Sequence, residues 1–206
     1  MALDNSTDTE LGLKLVAALF GFAWLCLLAL FSGDSRADPI QALEDRKWPL
    51  QNISIRTRFA ERTLLGKDAP EKFKAHDLSA NFKMPYTLYS AANWAVGTNL
   101  TASIGILRSI EESALVVSAA PELMLRTNDG GFTINAGIGL AAFSRHKLGI
   151  QDFGGPFQFV LAFGSTLELS RHTRIGYRFQ HYSDARLNGS NTTGADLHMV
   201  EFYYQF

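Results

Sequence analysis

The sequence predicts an all-β protein: an eight-stranded antiparallel transmembrane β-barrel preceded by a signal peptide. An uncharged apolar stretch lies near the N-terminus, alternating runs fill the remainder, and the chain ends on an alternating aromatic run. Average composition hides all three features. The 206 residues carry a formal net charge of −1 and one cysteine, and the mean hydropathy is zero. Such a length fits one domain. The charge offers no basic stripe for nucleic acid, and a single cysteine excludes a disulfide framework or a cysteine-rich zinc site.

Residues 15–31 read LVAALFGFAWLCLLALF, without a charge, and Lys14 stands just before them. Ser35 and Ala37 occupy the −3 and −1 positions of a cut after Ala37. This is the layout of a secretory signal peptide over residues 1–37. Asp4, Asp8 and Glu10 outnumber the one lysine ahead of the apolar stretch, and its length is also the short end of a spanning helix. An uncleaved membrane anchor is therefore the alternative. Cys26 lies inside the segment and leaves with it on cleavage. Residues 38–49 are expected to be a lead-in, and residues 50–206 the barrel.

Eight runs rich in β-branched, aromatic and small residues follow, separated by turn signals. They place strands at 52–60, 74–84, 96–109, 113–126, 131–144, 156–169, 172–183 and 194–206. Asn128-Asp129-Gly130-Gly131 is a hairpin signal, and Ser170-Arg171-His172 makes a tight link. Longer polar connections are expected at 145–155 and 184–193.

Alternation assigns the faces. In the last run Val200, Phe202, Tyr204 and Phe206 share one face, and Glu201, Tyr203 and Gln205 the other. In the run before it, Ile175, Tyr177 and Phe179 alternate with Arg174, Arg178 and Gln180. A soluble barrel turns its apolar face inward, whereas a membrane barrel turns it toward lipid. Periodicity does not separate the two. The membrane reading is favoured by the export signal and by strands near the about 9–11 residues that span a bilayer. The terminal aromatic on an aromatic strand also resembles the C-terminal signature of bacterial outer-membrane proteins.

One strand pair carries chemistry. His181 and Ser183 are two residues apart, so they share a strand face, the one that carries Ile175, Tyr177 and Phe179. If Ser183 pairs with Gly194 across the hairpin, His181 lies opposite Asp196, Tyr177 opposite Val200 and Ile175 opposite Phe202. Apolar residues then meet apolar residues, as a lipid-covered face requires. Directly opposed residues bring their Cβ atoms to about 4.5–5.5 Å, so Asp196 can bond one imidazole nitrogen while Ser183 approaches the other. That is the nucleophile–base–orienter arrangement of a Ser-His-acid triad.

The stretch His181-Tyr182-Ser183-Asp184-Ala185, the Asn191…Gly194 element and the aromatic last strand resemble the lipid A 3-O-deacylase (PagL) family. The likeness is specific from Gly176 onward and looser upstream, where Asp152-Phe153-Gly154-Gly155 carries it. The resemblance implies an eight-stranded outer-membrane barrel with a triad on its outer surface. It also implies removal of the ester-linked acyl chain at position 3 of lipid A, without cofactor or metal. On this match His181 is the base, Ser183 the nucleophile and Asp196 the acid, while Asn191 and Gly194 belong to the oxyanion loop. Three positions depart from the pattern: Asp196 where Glu is usual, Asp184 where Asn follows the serine, and one extra residue between Asn191 and Gly194.

The expected location is the outer membrane of a Gram-negative bacterium. Its partners would be lipopolysaccharide as substrate and a second copy of the chain. With eight strands and a cleaved N-terminus, both barrel ends lie in the periplasm. The seventh strand then runs outward, so His181 and Ser183 face the outer leaflet. A catalytically silent barrel with a structural or adhesion role is the competing expectation.

Other residues invite a role. His76, His146 and His172 lack ligand spacing. His198 shares the face of Asp196 and is the rival base. Glu201 points into the lumen, where Arg178 can balance it. Gly137 and Gly139 read as packing glycines, since no helix follows them.

Overall fold

Alternation of side chains makes each run a strand with two unlike faces, and the strands satisfy their backbone groups by pairing around a closed cylinder. The computed structural model describes residues 48–65, 71–185, 187–188 and 192–206. The expected signal peptide, residues 1–37, and most of the lead-in lie outside them. The strands are β1 (Leu50–Ala60), β2 (Lys74–Ser90), β3 (Trp94–Arg108), β4 (Ser113–Thr127), β5 (Phe132–Phe143), β6 (Lys147–Leu148), β7 (Gln151–Asp152), β8 (Phe157–Glu168), β9 (Thr173–Ser183) and β10 (Ala195–Gln205). Eight of them close into an antiparallel barrel in the order β1-β10-β9-β8-β5-β4-β3-β2. Pairing of β1 with β10, with Ile55 opposite Phe202, completes the circle.

Side chains on the outer wall are apolar: Ile55, Ile104, Val117, Leu140 and Phe202 are all exposed. Their neighbours one residue away, among them Ser54, Arg56, Ser103, Ser118 and Glu201, are buried in the lumen. This inverted arrangement is that of a transmembrane barrel. Leu50 and the C-terminus lie at the end that carries the tight turns after β2, β4 and β8. Exposed aromatics ring that end, with Tyr89 5.0 Å from Trp94 and Tyr204 5.6 Å from Phe206. The longer connections, after β1, β5 and β9, leave the barrel at the opposite end.

Charges in the lumen are paired. Arg178 bonds Glu122, which also accepts from Asn135. Arg56 lies between Asp77, at 3.5 Å, and Glu201, at 3.6 Å, and Tyr203 donates to Glu201 at 2.6 Å. Arg178 feels the charge of Glu201, as expected, but its hydrogen bond goes elsewhere. Arg178 stands opposite Met199 and reaches across to Glu122 on β4, and Arg56 is the cation in contact with Glu201. Toward the long-loop end the lumen turns apolar, with Phe143 5.0 Å from Phe153 and 5.1 Å from Tyr182. Gly137 and Gly139 let β5 lie against β4. A Cβ on either would stand 2.1 Å from a carbonyl oxygen, of Pro121 or Ala119 respectively.

Two elements differ from expectation. β2 does not stop at Met84 but continues to Ser90, its register shifting between Lys83 and Thr87. Pro85 cannot donate to a ladder, and a bulge accommodates it. The connection at 145–155 also holds the small hairpin β6–β7, with Leu148 opposite Gln151. The other strand ends lie within two residues of the expected ones.

Candidate active site

β9 and β10 pair in the register inferred from their apolar residues: His181 opposite Asp196, Phe179 opposite His198, Tyr177 opposite Val200 and Ile175 opposite Phe202. His181 Nδ1 lies 2.6 Å from Asp196 Oδ1. An ionised carboxylate only accepts, so Nδ1 carries the proton and Nε2 of the neutral ring keeps its lone pair. Among the described residues, no group hydrogen-bonds to that Nε2 or to the Ser183 hydroxyl. Ser183 ends β9 two residues beyond His181, on the same face, and stands opposite Phe159 of β8.

Asp196 is 5% exposed, although its side of β10 is the outer wall. The chain leaving β1 covers it. Leu64 and Leu65 donate their backbone N–H groups to Asp196 Oδ2 at 2.5 and 2.8 Å. Arg58 donates to the Asp196 carbonyl at 3.3 Å and to the Ala60 carbonyl at 3.0 Å. A register shift between Arg58 and Ala60 marks a bulge at the end of β1, a device that redirects a strand next to a site.

Gly194 packs against the imidazole. A Cβ there would stand 2.6 Å from the Tyr182 carbonyl oxygen and 2.9 Å from His181 Cε1. The β6–β7 hairpin holds the same loop from behind. Gln151, 1% exposed, donates to the carbonyls of Thr193 at 2.7 Å and Gly194 at 3.0 Å, and Thr193 donates to the Asp152 carbonyl at 3.1 Å. The Gly154 N–H, with help from the Lys147 ammonium, holds the Asp152 carboxyl below the usual range.

The carboxylate of Asp184 is engaged by its own loop. It accepts from Asn188 N at 3.1 Å and from the Thr192 hydroxyl at 3.0 Å. Gly154 leaves room for it, since a Cβ there would stand 2.6 Å from Asp184 Oδ2. Asn191 lies outside the described residues. His198 has both ring nitrogens committed, Nδ1 to the Tyr177 hydroxyl at 2.7 Å and Nε2 to the Arg62 carbonyl at 2.8 Å. It therefore has no lone pair to offer as a base. His76 bonds Thr57, and His172 lies near the Gln205 carbonyl, both away from the pair.

The structure thus joins His181 and Asp196 by a hydrogen bond, packs Gly194 against the imidazole and places Ser183 two residues on along the same strand face. Such a set can accept a proton from a hydroxyl and hold the resulting imidazolium against a carboxylate. The Leu64 and Leu65 amides and Gln151 escaped sequence reasoning. Backbone donors leave no residue-type signal, and for Gln151 the one pointer was its place beside the Asp152-Phe153-Gly154-Gly155 stretch.

The chain is similar to known proteins. Over 75 residues the chain is 36% identical to the lipid A deacylase PagL of Bordetella bronchiseptica, a match covering 36% of this chain and 42% of that protein. It is 40% identical over 58 residues to the lipid A deacylase PagL of Pseudomonas aeruginosa, covering 28% of this chain and 34% of that protein. Each match thus spans less than half the length of the curated relative. The fold is that of a crystal structure of the outer membrane enzyme PagL, with a TM-score of 0.64 and 19% identity, covering 75% of this chain and 99% of that one. The family model for lipid A 3-O-deacylase (PagL) matches residues 74–205. That span is more than half of the sequence, and the chain belongs to the lipid A 3-O-deacylase (PagL) family.

Proposed function

We propose that this protein is a serine esterase of the bacterial outer membrane that hydrolyses the acyl ester at position 3 of lipid A. Family membership supports the substrate class. The observation that carries the reading is the His181–Asp196 hydrogen bond of 2.6 Å, which leaves Nε2 as a base on the face of Ser183.

In this reading His181 takes the proton of Ser183 as the serine oxygen attacks the ester carbonyl. The negative oxygen that forms is met by donors of the 191–194 loop, the Asn191 amide and the backbone at Gly194, each typically worth about 3 kcal/mol. His181 returns the proton to the departing sugar alkoxide, and the acyl chain stays on Ser183. A water deprotonated by His181 then attacks the acyl-enzyme. It releases the fatty acid and restores the serine. Asp196 stays ionised throughout and stabilises the imidazolium.

Topology favours the same substrate. The site lies at the barrel end opposite Leu50 and Phe206, the end of the longer connections, which in bacterial outer-membrane barrels faces the outside. Its residues lie on the wall rather than in the lumen, where an ester of an outer-leaflet lipid can meet them.

Mass spectrometry of lipid A from cells carrying the parent or Ser183→Ala tests the reading. The parent removes one 3-hydroxyacyl chain, and Ser183→Ala leaves lipid A intact. Hydrolysis by a purified, folded Ser183→Ala barrel overturns the assignment of the nucleophile. An unchanged lipid A profile with the parent supports a catalytically silent barrel instead.

A further inference from the structure

A histidine on the outer wall of a membrane barrel has no lipid to bond, yet His198 is 7% exposed and fully hydrogen-bonded. A backbone carbonyl can only accept, so Nε2 carries the proton and donates to Arg62, and Nδ1 accepts from Tyr177. The ring also lies 5.3 Å from Phe179, and Tyr177 meets Phe59 edge-on at 6.3 Å. Phe59 sits where the register of β1 shifts. The chain leaving β1 is therefore clipped to the wall twice, at Phe59 through Tyr177 and at Arg62 through His198. Two residues past the second clip, the Leu64 and Leu65 amides converge on Asp196 Oδ2.

That convergence decides where the acid points. A carboxylate held by His181 alone can turn about its side-chain bonds. Two N–H groups on Oδ2 restrict it to the orientation that sets Oδ1 on His181 Nδ1. The short side chain of Asp196 makes the second anchor matter more, because it brings the carboxylate close to its own strand and under the covering segment.

We propose that His198 is a positioning residue: it pins residues 62–65 to the barrel wall so that their backbone holds Asp196 in line with His181. The proposal rests on the Ser183–His181–Asp196 reading for its effect on turnover, but not for the contact itself.

Two variants of the full chain, folded in detergent or lipid, test it. His198→Phe keeps a flat ring and removes both hydrogen bonds, whereas His198→Gln keeps a donor and an acceptor. In His198→Phe, amide exchange at Leu64 and Leu65 should quicken by about tenfold, the equivalent of one lost hydrogen bond. The kcat on an ester substrate should fall on the order of 10²-fold, as small misplacements of a catalytic group do, with KM unchanged. His198→Gln should restore most of both. Should His198→Phe fail to fold, Tyr177→Phe removes only the hydroxyl that orients His198, and the same two amides should exchange faster. Unchanged exchange in the folded variant overturns the proposal, and so does a kcat that falls while both amides stay protected. An inactive parent enzyme would instead overturn the esterase reading, and the exchange measurement, made equally well in Ser183→Ala, would still decide the role of His198.

Discussion

His181 and Asp196 stand directly opposite each other on β9 and β10, and their side chains meet through a 2.6 Å hydrogen bond on the outer wall of the barrel. Both residues are held by a continuous backbone ladder rather than by a loop. A site built on paired strands keeps its geometry better than one built on connections. Here the ladder sets His181 opposite Asp196, and Gly194 packs against the imidazole.

Asp196→Asn should abolish turnover without unfolding the barrel. The amide nitrogen of Asn cannot face the Leu64 and Leu65 N–H groups, because donors would meet donors. It turns to His181 instead, which makes Nδ1 an acceptor and leaves the proton on Nε2. A base in the wrong tautomer typically costs about 10⁴-fold in kcat. Steady-state kinetics on an ester substrate measure this, and a kcat within tenfold of the parent would contradict it.

Gly194→Ala should displace the imidazole. The added methyl meets a carbonyl oxygen on one side and the His181 ring on the other, and only the ring can give way. Activity should fall on the order of 10²-fold, while the far-ultraviolet circular dichroism of the barrel stays that of the parent. Full activity in the variant would mean that the loop relaxes instead.

Gln151→Met should loosen the same loop from behind. It leaves the Thr193 and Gly194 carbonyls without their buried donor, a loss of about 1–3 kcal/mol for an unsatisfied group. Faster amide exchange across residues 192–194 together with a reduced kcat is the expected result. Unaltered exchange would show that the hairpin does not support the site.

In the lumen, Arg178→Met should destabilise the barrel by about 3–5 kcal/mol, because Glu122 then stays buried and charged without its cation. The double variant Arg178→Met/Glu122→Met should recover most of that loss. Urea titration of the folded protein in lipid vesicles reads both. A double variant as unstable as the single would assign the effect to packing rather than charge.

Much of this fold was legible in the sequence because a strand has a period of two and a hairpin is local. The alternation in β9 and β10 assigns their faces and, once apolar residues must meet apolar residues, their register. His181 and Asp196 follow from that register alone. β2 was less legible: the expected strand ends at Met84, and only a shift of register against β3 lets it run on to Ser90.

The sequence by itself determined the number of barrel strands, which face of each is apolar, and which residues of β9 and β10 stand opposite each other. These depend on neighbours a few residues apart. Only the tertiary structure decided what surrounds them: that the chain leaving β1 folds over Asp196, that Arg62 occupies His198, that Gln151 holds the site loop, and that Arg178 belongs to Glu122. Each of these contacts joins segments far apart in the chain. Barrel closure brings β1 against β10, and the lumen lets long side chains reach across to strands they do not pair with. No periodicity records either event.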